Sequence, residues 1–324
     1  MQGTYGNGRL VTVFGGSGFV GRHIVRALAM RGYRVRAAVR RPDLAGFLKP
    51  LGMVGQVQPV QANIRFPDSI KAATEGAVAV VNAVGILAER GRQSFQAVHV
   101  DGAADVASIA AAEGVERLVH ISAIGADAES DSHYFHTKAK GEETVRQAFP
   151  RAVIMRPSIQ FGLGDSFFNR FAGIARMSPV LPLIGASTRF QPVYVGDVAT
   201  AIRMAVDGDV VGGRVFELGG AEILTFRECM AEMLRVIERR RLLLPLPLPL
   251  AKLAGGVLQF LPGRILTADQ VRQLQYDNVV SAEAISEKRT LAGLGISATA
   301  LDAILPTYLS RFRVRGEFRH QRNA

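Results

Sequence analysis

The chain has 324 residues, 48% of them hydrophobic, with one cysteine, no tryptophan, and 39 Lys+Arg against 28 Asp+Glu for a formal charge of +11. That length supports one large or two modest folded domains, and the apolar content excludes disordered, collagen-like and coiled-coil chains. Cys229, standing alone, excludes an internal disulfide and a cysteine-rich metal site, and reads as a small buried hydrophobe in a reducing compartment.

The first 160 residues alternate short apolar runs with helical patterns, the mark of repeating βα units. Leu10–Phe14 reads as a buried strand and Arg22–Arg31 as a helix with Ile24, Val25 and Leu28 inward. Strands follow at Val35–Val39, Val57–Ala62 and Ala77–Val84, the last nearly all apolar, as a parallel strand covered on both faces should be. An Ala-rich helix is expected over Phe95–Glu113, a fifth strand at Arg117–Ile121, a helix at Tyr134–Phe149, and a sixth strand at Ala152–Met155 stopped by Pro157. The fold class is therefore α/β, a Rossmann-type doubly wound parallel sheet over 9–157.

Beyond Pro157 glycine, proline and phenylalanine become frequent, which predicts a smaller, discontinuous C-terminal α/β domain over 158–310. Segments near 190–220 are expected to return to the first domain: a strand at Val193–Val195, a helix at Asp197–Val206 and a strand at Val215–Leu218. Thr225-Phe226-Arg227-Glu228 is a capping box opening a helix to about Ile237. Met1–Arg9 is polar and Gly-rich, unlike a secretory signal. The longest apolar stretch, Leu242–Ala251, holds three prolines and falls short of the roughly 20 apolar residues a spanning helix needs.

Gly15, Gly18 and Gly21 stand at G-x-x-G-x-x-G spacing directly after a strand and before a helix, with Gly16, Ser17, Phe19 and Val20 completing the loop. The first glycine permits the tight turn, the second a close approach of backbone N–H groups to a pyrophosphate, and the third close helix–strand packing. The helix N-terminus adds partial positive charge, so the loop implies a dinucleotide. An NAD site places an acid at the end of the second strand, but here the chain reads Val39-Arg40-Arg41-Pro42, with Asp43 beyond the proline. Arg40, with Arg41 beside it, suits a 2′-phosphate, and NADP(H) is expected over NAD(H). Asn63-Ile64 and Ala83-Val84-Gly85, at the ends of the third and fourth strands, are further cofactor-wall candidates or plain turn chemistry.

Tyr134 and Lys138 are four residues apart on one helical turn, downstream of a strand-end Ser122 in a chain that also carries the glycine loop. An ammonium there is expected to lower the tyrosine pKa, making Tyr134 an acid/base for hydride chemistry, and to reach the cofactor ribose. The six histidines show no metal-ligand spacing, and no metal is expected.

On the Gly15–Gly21 loop, Val119-His120-Ile121-Ser122, the Tyr134/Lys138 pair, Arg156-Pro157-Ser158 and Gln191–Ala199, the sequence resembles the extended and atypical short-chain dehydrogenase/reductase superfamily over roughly 9–220. Within it, Ala38–Pro42, Ile121–Asp127, Thr137–Glu142, Leu266–Val271 and Asp277–Val280 are similar to the complex I alpha-subcomplex subunit nine family and its bacterial relatives. That resemblance implies a tightly held NADPH, a cofactor wall including Ser122, Lys138 and Pro157, and a place on the peripheral arm close to the membrane. Active members of the superfamily use a serine after the fifth strand; Ser122 is near that place, but Ala123 and Ile124 follow it, so Ser122 is expected to satisfy backbone at the strand end.

Arg239-Arg240-Arg241 precedes an apolar run with proline at every second residue, then a short helix expected at Leu250–Phe260. The 239–260 segment and a basic tail at 311–324 suit either an anionic membrane surface or a groove on a partner, the alternative being a linker over the protein's own core and an Arg-rich solvated surface. Nucleic acid is disfavoured, since no recognition motif accompanies the charge. The expected function is an NADPH-holding accessory or assembly subunit of bacterial complex I, peripheral on the cytoplasmic side of the inner membrane or cytoplasmic, with the nucleotide as a structural ligand. The alternative is an active NADP(H)-dependent reductase, epimerase or dehydratase using Tyr134 and Lys138.

Overall fold

The computed structural model describes residues 6–246 and 268–314, and these fall into two units. The first comprises the chain up to Pro157, then Gly196–Leu218 and Ala282–Ile296; the second comprises Ser158–Val195, the described part of 219–281, and 297 onward. The units divide after Pro157, and the chain rejoins the first at Gly196, so the strand expected at Val193–Val195 lies in the second unit, and the rejoining of Ala282–Ile296 was not among the expectations.

The first unit is built on β1 (Leu10–Phe14), α1 (Phe19–Met30), β2 (Arg34–Val39), β3 (Val57–Gln61), α2 (Pro67–Thr74), β4 (Ala79–Asn82), α3 (Gly102–Ala112), β5 (Arg117–Ile121), α4 (His133–Ala148) and β6 (Val153–Pro157). Its seventh strand belongs to the returning segment. All seven strands are parallel, in the spatial order β11-β6-β5-β4-β1-β2-β3, where β11 is Val215–Leu218. This is a doubly wound sheet, with its switch in strand order between β1 and β4. Apolar strands need cover on both faces, and small residues on α3 allow a close approach: Ala103, Val106, Ala107 and Ala110 pack with Phe14, Val80 and Leu118 on one face.

Several elements differ from expectation for local reasons. The fourth strand ends at Asn82 instead of Val84, because the Asn82 side-chain oxygen accepts the Val84 N–H at 3.2 Å and turns the chain. The long helix at 95–113 begins as a π-helical turn, Gln96–Asp101, before α3. Pro157 lies inside β6 and not beyond it, paired in register with Leu218. A proline at the last strand position is tolerated there, since no further N–H is needed.

The second unit holds β7 (Gln160–Phe161), α5 (Phe168–Met177), β8 (Val180–Ile184), β9 (Arg189–Phe190), β10 (Val193–Tyr194), β12 (Leu224–Thr225), α7 (Phe226–Val236) and β13 (Leu242–Leu246); α6 (Val195–Asp207) begins at Val195, where that unit's first segment ends, and otherwise belongs to the first unit. Its strands form three two-stranded sheets, β10 with β7, β12 with β9 and β13 with β8. The phenylalanines that marked the change of texture form its core: Phe161, Phe168, Phe190 and Phe226 are buried with Leu181, Leu183, Met230 and Leu305. The capping box is present, with Thr225 Oγ1 accepting the Glu228 N–H at 3.2 Å and Glu228 Oε2 accepting the Thr225 N–H at 2.7 Å. Burial pushes the Cys229 thiol up to about 12, which leaves it an inert core residue. Asn278 ties the unit together: its side-chain oxygen accepts from Ser158 Oγ and Ile159 N at 2.7 and 2.9 Å, and its carbonyl accepts Gln191 N at 3.0 Å.

Two expectations about the basic segments change. Arg311, read as tail charge, donates to Asn169 Oδ1, and Arg313 donates to the Val236 carbonyl at 3.0 Å, so this stretch is packed on the unit. The expected helix Leu250–Phe260 and the tail beyond residue 314 lie outside the described residues.

Candidate dinucleotide and acid/base site

The glycine loop leaves the C-terminal end of β1 at the switch point and enters α1 with Gly18 as its N-cap. Gly15 has φ +77°, a left-handed conformation that favours glycine, and its N–H donates to Ala38 O at 2.9 Å. A Cβ at Gly21 would lie 2.1 Å from Gly15 O, so only glycine lets the helix sit this close to the turn. The first turn of α1 carries no acidic side chain and Gly18 supplies no capping side chain, so its first amides have no competing anion on the helix. Gly16, Ser17, Phe19 and Val20 lie on this loop and first turn.

Arg40, at the C-terminal end of β2, is exposed and has no hydrogen-bond or ion-pair partner among the described residues. Arg41 differs: Asp43 takes both its Nε and Nη2, at 3.3 and 3.1 Å, and the contact holds the Asp43 carboxyl below the usual range. Asn63 serves the turn after β3, accepting Arg65 N at 3.2 Å, and Ile64 is buried beneath α3. Ala83 continues from β4, its N–H donating to Phe14 O at 3.0 Å, and Val84 packs against the sheet core with Gly85 beyond it. Gly15 approaches this strand end closely, since a Cβ there would meet Ala83 O at 3.0 Å. The loop and its bare helix end thus fit a dinucleotide phosphate chain. A bound nicotinamide dinucleotide would supply a hydride donor or acceptor at its nicotinamide.

The acid/base pair is arranged differently from expectation. Tyr134 and Lys138 are on the first turns of α4, but Lys138 Nζ donates to the Ile121 carbonyl at 2.7 Å. Tyr134 sits among aromatic rings, edge-on to Phe95, His99 and Phe135 at centroid separations of 5.9, 5.4 and 5.6 Å. Burial pushes its phenol up to about 12, the reverse of the lowering that the Tyr–Lys spacing suggests, and pushes the Lys138 ammonium down to about 8. Ser122 also departs from its expected role. Its N–H donates to Met155 O at 2.7 Å, but its buried hydroxyl has no partner among the described residues, so the side chain does not satisfy the strand end.

Around this pair lies a buried polar network that the sequence reading did not assemble. Ile86 N–H donates to His99 Nε2 at 3.1 Å, which puts the His99 proton on Nδ1, facing Thr137 Oγ1 at 3.1 Å. Thr137 Oγ1 in turn donates to the His133 carbonyl at 2.7 Å, so His99 fastens the turn after β4 to the first turn of α4. Burial, with Lys138 nearby, holds His99 down at about 3. In β5 and β4, Asn82 Nδ2 donates to His120 Nδ1 at 3.3 Å, leaving the His120 proton on Nε2, which has no partner among the described residues. Burial keeps this ring neutral too. Glu142, fully buried on α4, accepts Arg156 Nε and Nη2 at 2.8 and 2.7 Å, a bidentate pair. The available signal was Asn82 and His120, polar residues at or next to the C-terminal ends of two buried strands.

Residues 15–159 match the NAD(P)H-binding family. The fold is shared with the solved structure of MoeE5 in complex with UDP-glucose and NAD, at a TM-score of 0.69 and 17% identity, covering 92% of this chain and 97% of that one. The protein is therefore an NAD(P)H-binding Rossmann protein with the architecture of short-chain dehydrogenases and sugar-nucleotide epimerases. Over 292 residues it is 35% identical to the mitochondrial NADH dehydrogenase [ubiquinone] 1 alpha subcomplex subunit 9 of Arabidopsis thaliana, covering 86% of this chain and 73% of that protein. It belongs to that subunit's family. A ceramide reductase of Caulobacter vibrioides is 32% identical over 251 residues, 77% of each chain.

Proposed function

We propose that the protein is an NADPH-holding accessory or assembly subunit of a bacterial complex I, peripheral on the cytoplasmic face of the inner membrane, with the nucleotide as a structural ligand. The observation that carries this reading is the 35% identity to alpha subcomplex subunit 9, which spans both units of the chain. The acid/base pair supports it: a phenol held near 12, with the ammonium engaged by a backbone carbonyl, is poorly placed to exchange protons near neutrality. The glycine cradle is independent of that pair, and a ligand held only by the folded state stabilises it by mass action. Arg40 favours NADP(H), because its guanidinium is free where Arg41 is paired with Asp43.

A second reading, an NADP(H)-dependent reductase using Tyr134 and Lys138, is favoured by the partnerless Ser122 hydroxyl at the end of β5 and by the ceramide reductase relative. Gently solubilised native membranes distinguish the two. Co-migration with NADH dehydrogenase activity, with NADPH retained and not oxidised by carbonyl substrates, is the expected result. Migration alone, together with turnover lost in Tyr134→Phe, would reverse the order of the two readings.

A further inference from the structure

We infer that His99 is a positioning residue of the dinucleotide site: from behind the turn that follows β4 it fixes that turn against the glycine loop, and so sets how tightly the dinucleotide is held. This role presupposes the dinucleotide at the glycine loop proposed above, but not the choice of NADP(H) over NAD(H). In a doubly wound sheet the ligand lies across the C-terminal ends of the strands at the switch point, here β1 and β4. One wall of that crevice is the glycine loop and the other is the turn at 83–86. The two walls touch, since a Cβ at Gly15 would meet Ala83 O at 3.0 Å and Val84 Cγ2 at 3.2 Å. The glycine loop is stiffened by the helix it enters, whereas 83–86 belongs to no strand or helix. Its N–H groups are held separately: Ala83 by Phe14 O, Val84 by Asn82 Oδ1, and Ile86 by His99 Nε2. The first two contacts lie at the end of β4 itself, so His99 is the hold on the far side of the turn.

His99 is itself held on several sides. It belongs to the π-helical turn Gln96–Asp101, which presses on α4 so closely that a Cβ at Gly141 would collide with the His99 carbonyl oxygen. Phe95 stacks on the ring at 5.2 Å with 24° between the planes, and Tyr134 stands edge-on to it at 5.4 Å. His99 is 1% exposed, so bulk water does not replace its partners. The two contacts dictate the residue type. Ile86 N–H needs an acceptor, and Thr137 Oγ1, whose own proton goes to the His133 carbonyl, needs a donor. A neutral imidazole offers one of each on a rigid ring. Removing either contact leaves a buried polar group unsatisfied and lets the turn detach. A crevice that is complete only part of the time binds with its affinity reduced by that fraction, whatever group the ribose carries at its 2′ position. Arg40 acts elsewhere, at the end of β2, which lies on the other side of β1 from this turn.

The test is fluorescence titration of the full chain with NADPH and with NADH, on His99→Phe, Thr137→Val, the two combined, and Thr137→Ser. Phenylalanine keeps the stack on Phe95 and removes both polar contacts; valine keeps the shape of Thr137 and removes the acceptor. Each should weaken NADPH and NADH about tenfold and by the same factor. The combined variant should bind no more weakly than His99→Phe alone, because the two residues form one connection. Thr137→Ser keeps the hydroxyl and should restore the affinity lost in Thr137→Val. Hydrogen exchange read by mass spectrometry reports the contact directly: the 83–88 segment should lose protection in His99→Phe while β5 keeps its own, a pattern that a general loss of stability does not produce. Should His99→Phe not fold, Thr137→Val and its serine counterpart carry the same decision. Wild-type affinity in either folded single variant, a combined loss near the product of the two, about hundredfold, or a loss confined to NADPH overturns the inference. Failure of the wild-type chain to bind either dinucleotide would refute the nucleotide-holding function and this role with it, so the two failures are read from different samples.

Discussion

The two buried imidazoles make the stability of the first unit sensitive to mild acid, and His99 gives the size of the effect. Its folded pKa is about 3 against the ordinary 6.5 of a histidine, because burial and the Lys138 ammonium disfavour imidazolium. Below pH 6.5 the unfolded chain takes a proton that the folded chain refuses. Stability is therefore full above pH 6.5 and lost progressively as the pH falls toward 3. Linkage over these two values gives a loss of roughly 2 kcal/mol between pH 7 and pH 5, and roughly 5 kcal/mol once both states are protonated. His120 acts in the same direction. Urea unfolding followed by far-UV circular dichroism at pH 7 and pH 5 measures the loss, and His99→Gln isolates its source. The glutamine variant starts less stable, having changed the contacts to Ile86 and Thr137, but its pH 7-to-5 difference should shrink by roughly 2 kcal/mol. An unchanged difference would show that His99 is protonated in the folded state, and the hydrogen-bond chain from Ile86 to Thr137 would then be misassigned.

Other expected outcomes follow from single contacts. Gly21→Ala, whose new Cβ would meet Gly15 O at 2.1 Å, should abolish NADPH binding by fluorescence titration and lower stability by about 1–3 kcal/mol. Arg40→Ala should weaken NADPH about tenfold or more while leaving NADH nearly unchanged; equal losses for both would refute the 2′-phosphate role. Glu142→Gln should cost about 1–3 kcal/mol in urea unfolding, since it removes the bidentate partner of Arg156 and leaves only Glu217, at 3.7 Å, to offset that charge. Thr225→Ala removes one side of the capping box and should cost about 1 kcal/mol.

The sheet was legible because its strands are short apolar runs with glycine or a helical pattern after each, and no other arrangement covers both faces of so many such strands. Gly15, Gly18 and Gly21 were legible for a local reason: strand, turn and helix are contiguous there. What the sequence did not show depends on contacts between distant segments. The return of Ala282–Ile296 to the first unit rests on such contacts as Arg289 Nη1 to Val215 O at 2.8 Å, which no periodicity encodes. Tyr134 and Lys138 show the same limit. Their spacing places both on α4, but Ile121 O, 17 residues earlier, takes the ammonium, and Phe95 and His99 enclose the phenol. Spacing identifies which side chains share a helix face; their titration is decided by what packs against that face.

The charge surplus resolves in the same way. Many arginines of the described chain hold backbone or buried carboxylates in place: Arg36 donates to the carbonyls of Ala73 and Glu75 at 2.7 and 2.8 Å at the end of α2, and Arg31 and Arg203 both hold the buried Asp207. Arginine suits these tasks because its planar fork donates in several directions and stays charged when half buried. Such residues add to the net charge without offering it to a ligand. Arg40, at the end of β2, and Arg240 differ: both are exposed and have no carboxylate partner among the described residues. These two positions lie in different units. If the surplus were only compositional, Arg40→Gln and Arg240→Gln would perturb NADPH affinity to the same small extent. The proposed function instead requires NADPH affinity to fall for the first and to hold for the second, so measuring it on both variants decides between the two accounts.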